Sequence, residues 1–142
     1  MAVLAGVAVI GGCGSSAVPN QPRAVVERFG KASAAHDYQE ICDHLIAPAL
    51  VSKVEQIGLP CELAFKRGLD KVRNAQIKIG IVRVIGSAAY VQVHSTASNQ
   101  PPSDDTLKLV RTKGSWRIIA LTSQLPAAPK QPVKKNGAPA GG

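Results

Sequence analysis

Apolar positions along the chain change their spacing once, after Asn74, and that change separates a helical stretch from a run of strands. From Pro22 onward Val25, Val26, Phe29 and Ala32 recur at steps of three and four. This spacing sets them along one helix face, with Glu27, Arg28 and Lys31 on the other. Pro22 suits a first turn, where its missing N–H costs nothing, and the helix is expected to end near Ala35. Tyr38 to Ile46 reads as a short second helix with Ile41, Cys42, Leu45 and Ile46 inward. Pro48 opens a third, carrying Ala49, Leu50 and Val54, until Gly58, Leu59 and Pro60 break the stripe. A fourth starts near Cys61 and repeats through Ala64, Phe65, Gly68, Leu69 and Val72.

Beyond Asn74 the period falls to two, which predicts strands. Gln76 to Ile85 alternates Ile77, Ile79 and Ile81, then slips to Val82 and Val84, implying a bulge around Gly80. Gly86 and Ser87 turn the chain into Ala88 to Ser95. A polar stretch, Thr96 to Ser103, holds Pro101 and Pro102 and reads as a loop. Thr106 to Thr112 follows, and Lys113-Gly114 turns tightly into Ser115 to Leu121. The order predicts an α+β fold, with N-terminal helices packed on a curved antiparallel four-stranded meander.

Both ends lack such periodicity. Residues 126–142 are dominated by Pro, Ala, Gly and Lys, with Val133 as the only large apolar residue, so this tail is expected to be disordered or extended. The folded domain is placed at 22–125. Hydrophobic content of 45% with 18% charged residues is that of a globular chain rather than an integral membrane or disordered one. The net charge of +8 is spread out and clusters only at Lys130, Lys134 and Lys135 in the tail. Nucleic acid is not an expected partner, because none of the few aromatic residues alternates with Arg or Lys as stacking platforms require.

Met1 to Ile10 is small or apolar throughout. It is too short for a bilayer core, which needs about 20 apolar residues, and matches the apolar region of a signal peptide. Val9-Ile10-Gly11-Gly12-Cys13 resembles the lipobox of bacterial lipoproteins. That resemblance implies that residues 1–12 are removed as a signal peptide, that Cys13 carries the lipid, and that 13–21 tether the domain to the extracytoplasmic face of the cell membrane. No Lys or Arg precedes Arg23, which predicts a native start further upstream. Lipidation of Cys13 also accounts for an odd cysteine count in an exported protein. Cys42 and Cys61, both on inward faces, are then expected to form a disulfide, the alternative being two buried thiols. Neither has the nearby second Cys or His that a zinc site uses, so no metal and no cofactor are expected.

The helices, the Ala88-Ala89-Tyr90-Val91-Gln92-Val93 strand and the final hairpin, with Leu107, Leu109, Val110, Gly114, Trp116, Arg117 and Ile118, resemble the nuclear transport factor 2-like superfamily. In particular they resemble its small lipoprotein members in actinobacteria. This resemblance spans about residues 22–121 and implies a sheet wrapped around helices to leave a conical pocket. Its members include isomerases, cyclases, dehydratases and non-enzymatic binding modules, so the fold alone assigns no activity.

Chemistry in such a cone needs convergent polar groups. His36 and Asp37 read as a helix end and the cap of the next turn, and Asp43 and His44 as solvent-facing neighbours of Cys42. Tyr90, Gln92 and His94 share one strand face, opposite Ala89, Val91 and Val93. The Ala89, Val91 and Val93 face, uniformly apolar and small, is the better core face, so no catalytic residue is assigned. Tyr90 and His94 are the pair that could supply two convergent polar groups if their face lined the cone instead. A cone packed solid by Phe29, Phe65, Leu69 and Trp116 would leave no room for a substrate. The function expected first is a non-enzymatic envelope lipoprotein binding a small apolar ligand or an envelope protein. Behind it stand an isomerase- or cyclase-like enzyme with a polar pocket, and a structural lipoprotein touching the cell wall through its basic tail.

Overall fold

In a computed structural model, which describes residues 21–122 and 124–128, the helical half comprises α1 (Pro22–Ala35), α2 (Tyr38–Glu40), a π turn (Ile41–Leu45), α3 (Pro48–Gln56) and α4 (Cys61–Leu69). Four strands follow: β1 (Gln76–Ile85), β2 (Ala88–Ala97), β3 (Gln100–Thr112) and β4 (Ser115–Thr122). The signal peptide, Cys13, the tether as far as residue 20, and the tail beyond residue 128 lie outside the described residues.

Proline opens both α1 and α3. α1 stops at His36, whose left-handed backbone (φ 57°) lets the N–H groups of His36 and Asp37 close on the carbonyls of Ser33 and Ala32. Asp37 then caps α2, its carboxylate accepting from the Glu40 N–H at 3.0 Å. The predicted second helix is thus broken in two: after one turn it widens, and the Ile46 N–H reaches back to the Ile41 carbonyl at 2.9 Å. That five-residue step keeps Ile41, Cys42 and Leu45 buried together.

The strands form one antiparallel sheet in the order β1-β2-β3-β4. Each of its three ladders contains a register irregularity: Ile79/Val82, Ser95/Ala97 and Lys108/Leu109. Such bulges bend a sheet and raise its twist, and α1 lies against β1, β2 and β4 across the inner face. Gly80 sits at the first bulge, where a Cβ would come within 3.3 Å of the Gln92 side-chain oxygen.

One segment departs from the expected pattern. The polar stretch read as a loop over 96–103 is mostly strand, with only Ser98 and Asn99 turning the chain between β2 and β3. Pairing continues through His94↔Asp104 and Ser95↔Ser103, while β4 joins β3 only from Thr106↔Thr122 onward. Pro101 and Pro102 therefore occupy a part of β3 with a neighbour on one side only and next to a bulge, positions at which a strand tolerates residues without an N–H.

The core joins Val25 and Val26 of α1, Ile41 and Leu45 of the π turn, Ala89, Val91 and Val93 of β2, and Leu107, Leu109, Trp116 and Ile118 of the last hairpin. Ile41, Leu45 and Leu109 are fully buried. Two further links hold the molecule together, one between the helical half and the sheet and one within the helical half. The Ala47 N–H donates to the Ile118 carbonyl at 2.8 Å in a parallel bridge against β4, and Cys42 is disulfide-bonded to Cys61. Beyond the last strand, the Arg83 guanidinium donates to the Pro126 carbonyl. The chain thus still touches the sheet just past the predicted domain boundary at Leu125.

Candidate functional site

Between the helices and the inner face of the sheet lies a cavity of about 320 Å³. Phe29 of α1, Leu50 of α3 and Phe65 of α4 form its helical wall, and Ile77, Val93, Leu107, Ile118, Ala120 and Leu121 its sheet wall, with Ile46 between them. Two polar side chains, Ser95 and Asp105, complete it. Phe29 and Phe65 meet edge to face, ring centres 6.3 Å apart. They line the space instead of filling it, and Trp116, 4% exposed, is packed into the core beneath Arg111.

Two further spaces adjoin this one. A crevice of about 360 Å³ between α3 and α4 shares Ile46, Leu50 and Phe65 with it and adds Val51, Val54, Cys61, Ala64 and Leu69, so its lining is almost wholly apolar. At the other end a cleft of about 190 Å³ shares Phe29, Ile77 and Ser95 and brings in Ser33, Gln76, Thr96 and Ser103. The spaces thus grade from apolar, beside the disulfide, to polar, at the β2–β3 turn. A separate groove of about 480 Å³ behind α3 is lined by Asp43, Ser52, Lys113 and Arg117, and there the Arg117 guanidinium is engaged with the Asp43 carbonyl at 2.7 Å.

The residues singled out from sequence fall elsewhere. Ala89, Val91 and Val93 are buried on the inner face, so Tyr90, Gln92 and His94 stand on the outer one. His94 pairs across the ladder with Asp104 at 2.8 Å, its side chain 42% exposed. Lys108 lies 5.9 Å over the Tyr90 ring. The structure therefore does not bring Tyr90 and His94 together around a pocket. Asp43 and His44 are exposed. His36 lies 3.8 Å from Asp70, which also accepts a 2.8 Å hydrogen bond from the Tyr38 hydroxyl. Partial burial, followed by that bond and the adjacent carboxylate charge, pushes the Tyr38 phenol above its ordinary value.

Sequence reasoning missed Asp105, Ser95 and Ser33. Asp105 stands two positions before Leu107 on a strand and so shares its inward face, a signal masked by treating the preceding residues as loop. Ser33 follows Phe29 by four positions on α1, one turn along the same stripe.

No protein-family profile and no curated protein matches the chain. Among solved structures, that of a Campylobacter jejuni protein described as an NTF2-like transpeptidase superposes with a TM-score of 0.50, covering 70% of this chain and 98% of that one. The fold is that of the NTF2-like cone. Sequence identity over the match is 11%, so the likeness extends to helices, meander and cone and to no residue's role.

Proposed function

We propose that this chain is a lipid-anchored binding protein outside the cytoplasm whose NTF2-like cone holds the apolar part of a small ligand. The observation that carries the reading is the cavity of about 320 Å³ on the inner face of the sheet, walled by Phe29, Leu50, Phe65 and Leu107. Apolar clefts of about 300 Å³ or more with a few convergent polar groups are the usual form of small-molecule sites. Anchoring rests on the Val9-Ile10-Gly11-Gly12-Cys13 pattern, and the Cys42–Cys61 disulfide fits an oxidising compartment. The enzymatic alternative loses its named residues, since Tyr90 and His94 stand on the other face of the sheet. The neighbour's description speaks of transpeptidation, but Cys42 and Cys61 are bonded to each other and offer no thiol nucleophile.

The test uses the full chain carrying Cys13→Ser, with the disulfide formed, titrated into the neutral dye Nile red. Saturable one-to-one binding is expected. Leu50→Arg, which sets a charge in the wall shared by cone and crevice, should weaken it about tenfold or more while the circular dichroism spectrum is kept. Absence of saturable binding, or equal binding by a folded Leu50→Arg variant, refutes the reading.

A further inference from the structure

One buried side-chain polar atom in the described residues has no hydrogen-bond partner, the hydroxyl oxygen of Ser33. Ser33 is only 7% exposed and borders the cleft that adjoins the cone. A helical serine can usually satisfy itself on the carbonyl one turn back. This one does not, and buried hydroxyls without a partner are rare enough that each asks for an acceptor or donor from outside the chain.

Asp105 presents a second opening. It is partly buried in the wall of the cone, and among the described residues its carboxylate has neither hydrogen bond nor ion pair, whereas neighbouring Asp104, on the other face, is engaged by His94. The register Val93↔Asp105 and Ser95↔Ser103 makes Asp105 and Ser95 diagonal neighbours on the inner face. Their backbones are then about 7 to 8 Å apart, a span within reach of one small group held between the side chains. Ser95 borders both the cone and the cleft of Ser33, so it links the two openings.

An ammonium group has three donors and no acceptor, which suits one carboxylate and two hydroxyl oxygens. A carboxylate head would meet Asp105 as a like charge. We propose that the cone's ligand is an aliphatic amphiphile with a protonated amine head, the head held by Asp105, Ser95 and Ser33 and the chain lying against Phe29, Leu50 and Phe65. This proposal rests on the apolar-ligand reading above and names its class. The charge of the whole protein works against it: at +8 the molecule attracts anionic amphiphiles at long range, so a preference for amines has to come from the site.

Dodecylamine, dodecanol and dodecanoate, each below its micellar concentration, are competed against Nile red on the full Cys13→Ser chain. Dodecylamine should displace the dye at about tenfold lower concentration than dodecanol, with dodecanoate weakest. Asp105→Asn should abolish the advantage of the amine, read as the ratio of dodecylamine to dodecanol concentrations that displace the dye from that same variant, and Ser33→Ala should reduce it. Equal competition by the three heads, a preference for dodecanoate, or an amine preference that survives Asp105→Asn overturns the proposal and leaves the apolar cone standing. Failure of Nile red itself to bind removes both.

Discussion

Replacing Cys42 and Cys61 together by alanine tests how far the helical half depends on its covalent link. The bridge joins residues 19 apart, from the π turn to the first turn of α4, and both cysteines are buried, Cys42 at 9% and Cys61 at 6% exposure. In the chain-entropy account, opening a loop of that length returns enough freedom to the unfolded state to cost about 3 kcal/mol at 25 °C. For a domain of this size that corresponds to a fall in Tm of about 10 to 15 °C. The loss should not be purely global. Cys61 lines the crevice between α3 and α4, and α4 also contributes Phe65 to the cone, so Nile red affinity should drop at temperatures where the fold persists. Thermal melting by circular dichroism, run on the wild-type chain with and without dithiothreitol and on the double variant, gives the comparison. If the reduced wild type and the double variant both melt within about 2 °C of the oxidised protein, the link constrains nothing that folding does not already fix, and the reasoning fails.

On the lipid-anchor proposal, Cys13→Ala should move the protein from the membrane to the soluble fraction. Retention after a salt wash, with the signal processed normally, would remove lipid anchoring. Tyr38 offers a pH test. Its raised phenol pKa disfavours the phenolate in the folded state, so the stability tied to it is present below the ordinary value of 10.0 and is lost as pH rises through the folded one. Asp70→Asn, which removes the adjacent carboxylate charge, should lower the midpoint followed by the Tyr38 ring resonance. An unchanged midpoint would place the cause in burial alone.

Helix starts at Pro22 and Pro48, the Val25-Val26-Phe29-Ala32 stripe and the β1 bulge near Gly80 could be read from the sequence because each has a local cause: a fixed φ, a repeat of three to four, or a slip in a repeat of two. Three features had no such cause on the surface of the sequence. The start of β3 carries Gln100, Pro101, Pro102, Ser103 and Asp104, a composition that argues for a loop; it is a strand because β2 supplies the partner and no β4 lies opposite to demand the missing N–H groups. The π turn depends on burying Ile41 and Leu45 under the sheet, a tertiary constraint. The polar end of the cone was hidden by the same error at β3, since the parity that points Asp105 inward is visible only once the strand is extended backwards from Leu107. Tyr90 and His94 show the converse: the pattern of β2 correctly placed them together on one face, and the packing of Ala89, Val91 and Val93 decided that this face is the outer one.

The prolines of β3 also bear on how the molecule meets its own copies. An open strand edge is a row of free donors and acceptors on which another chain can add a strand. Because successive residues of a strand point their N–H groups to opposite sides, one of Pro101 and Pro102 removes a donor from the open edge of β3 past β4. On the far side of β4, the Ile118 carbonyl is already taken by Ala47, and at the opposite border the bulge between Ile79 and Val82 breaks the even spacing that strand addition needs. Each border of the sheet is thereby a poor template for the addition of a strand from another molecule.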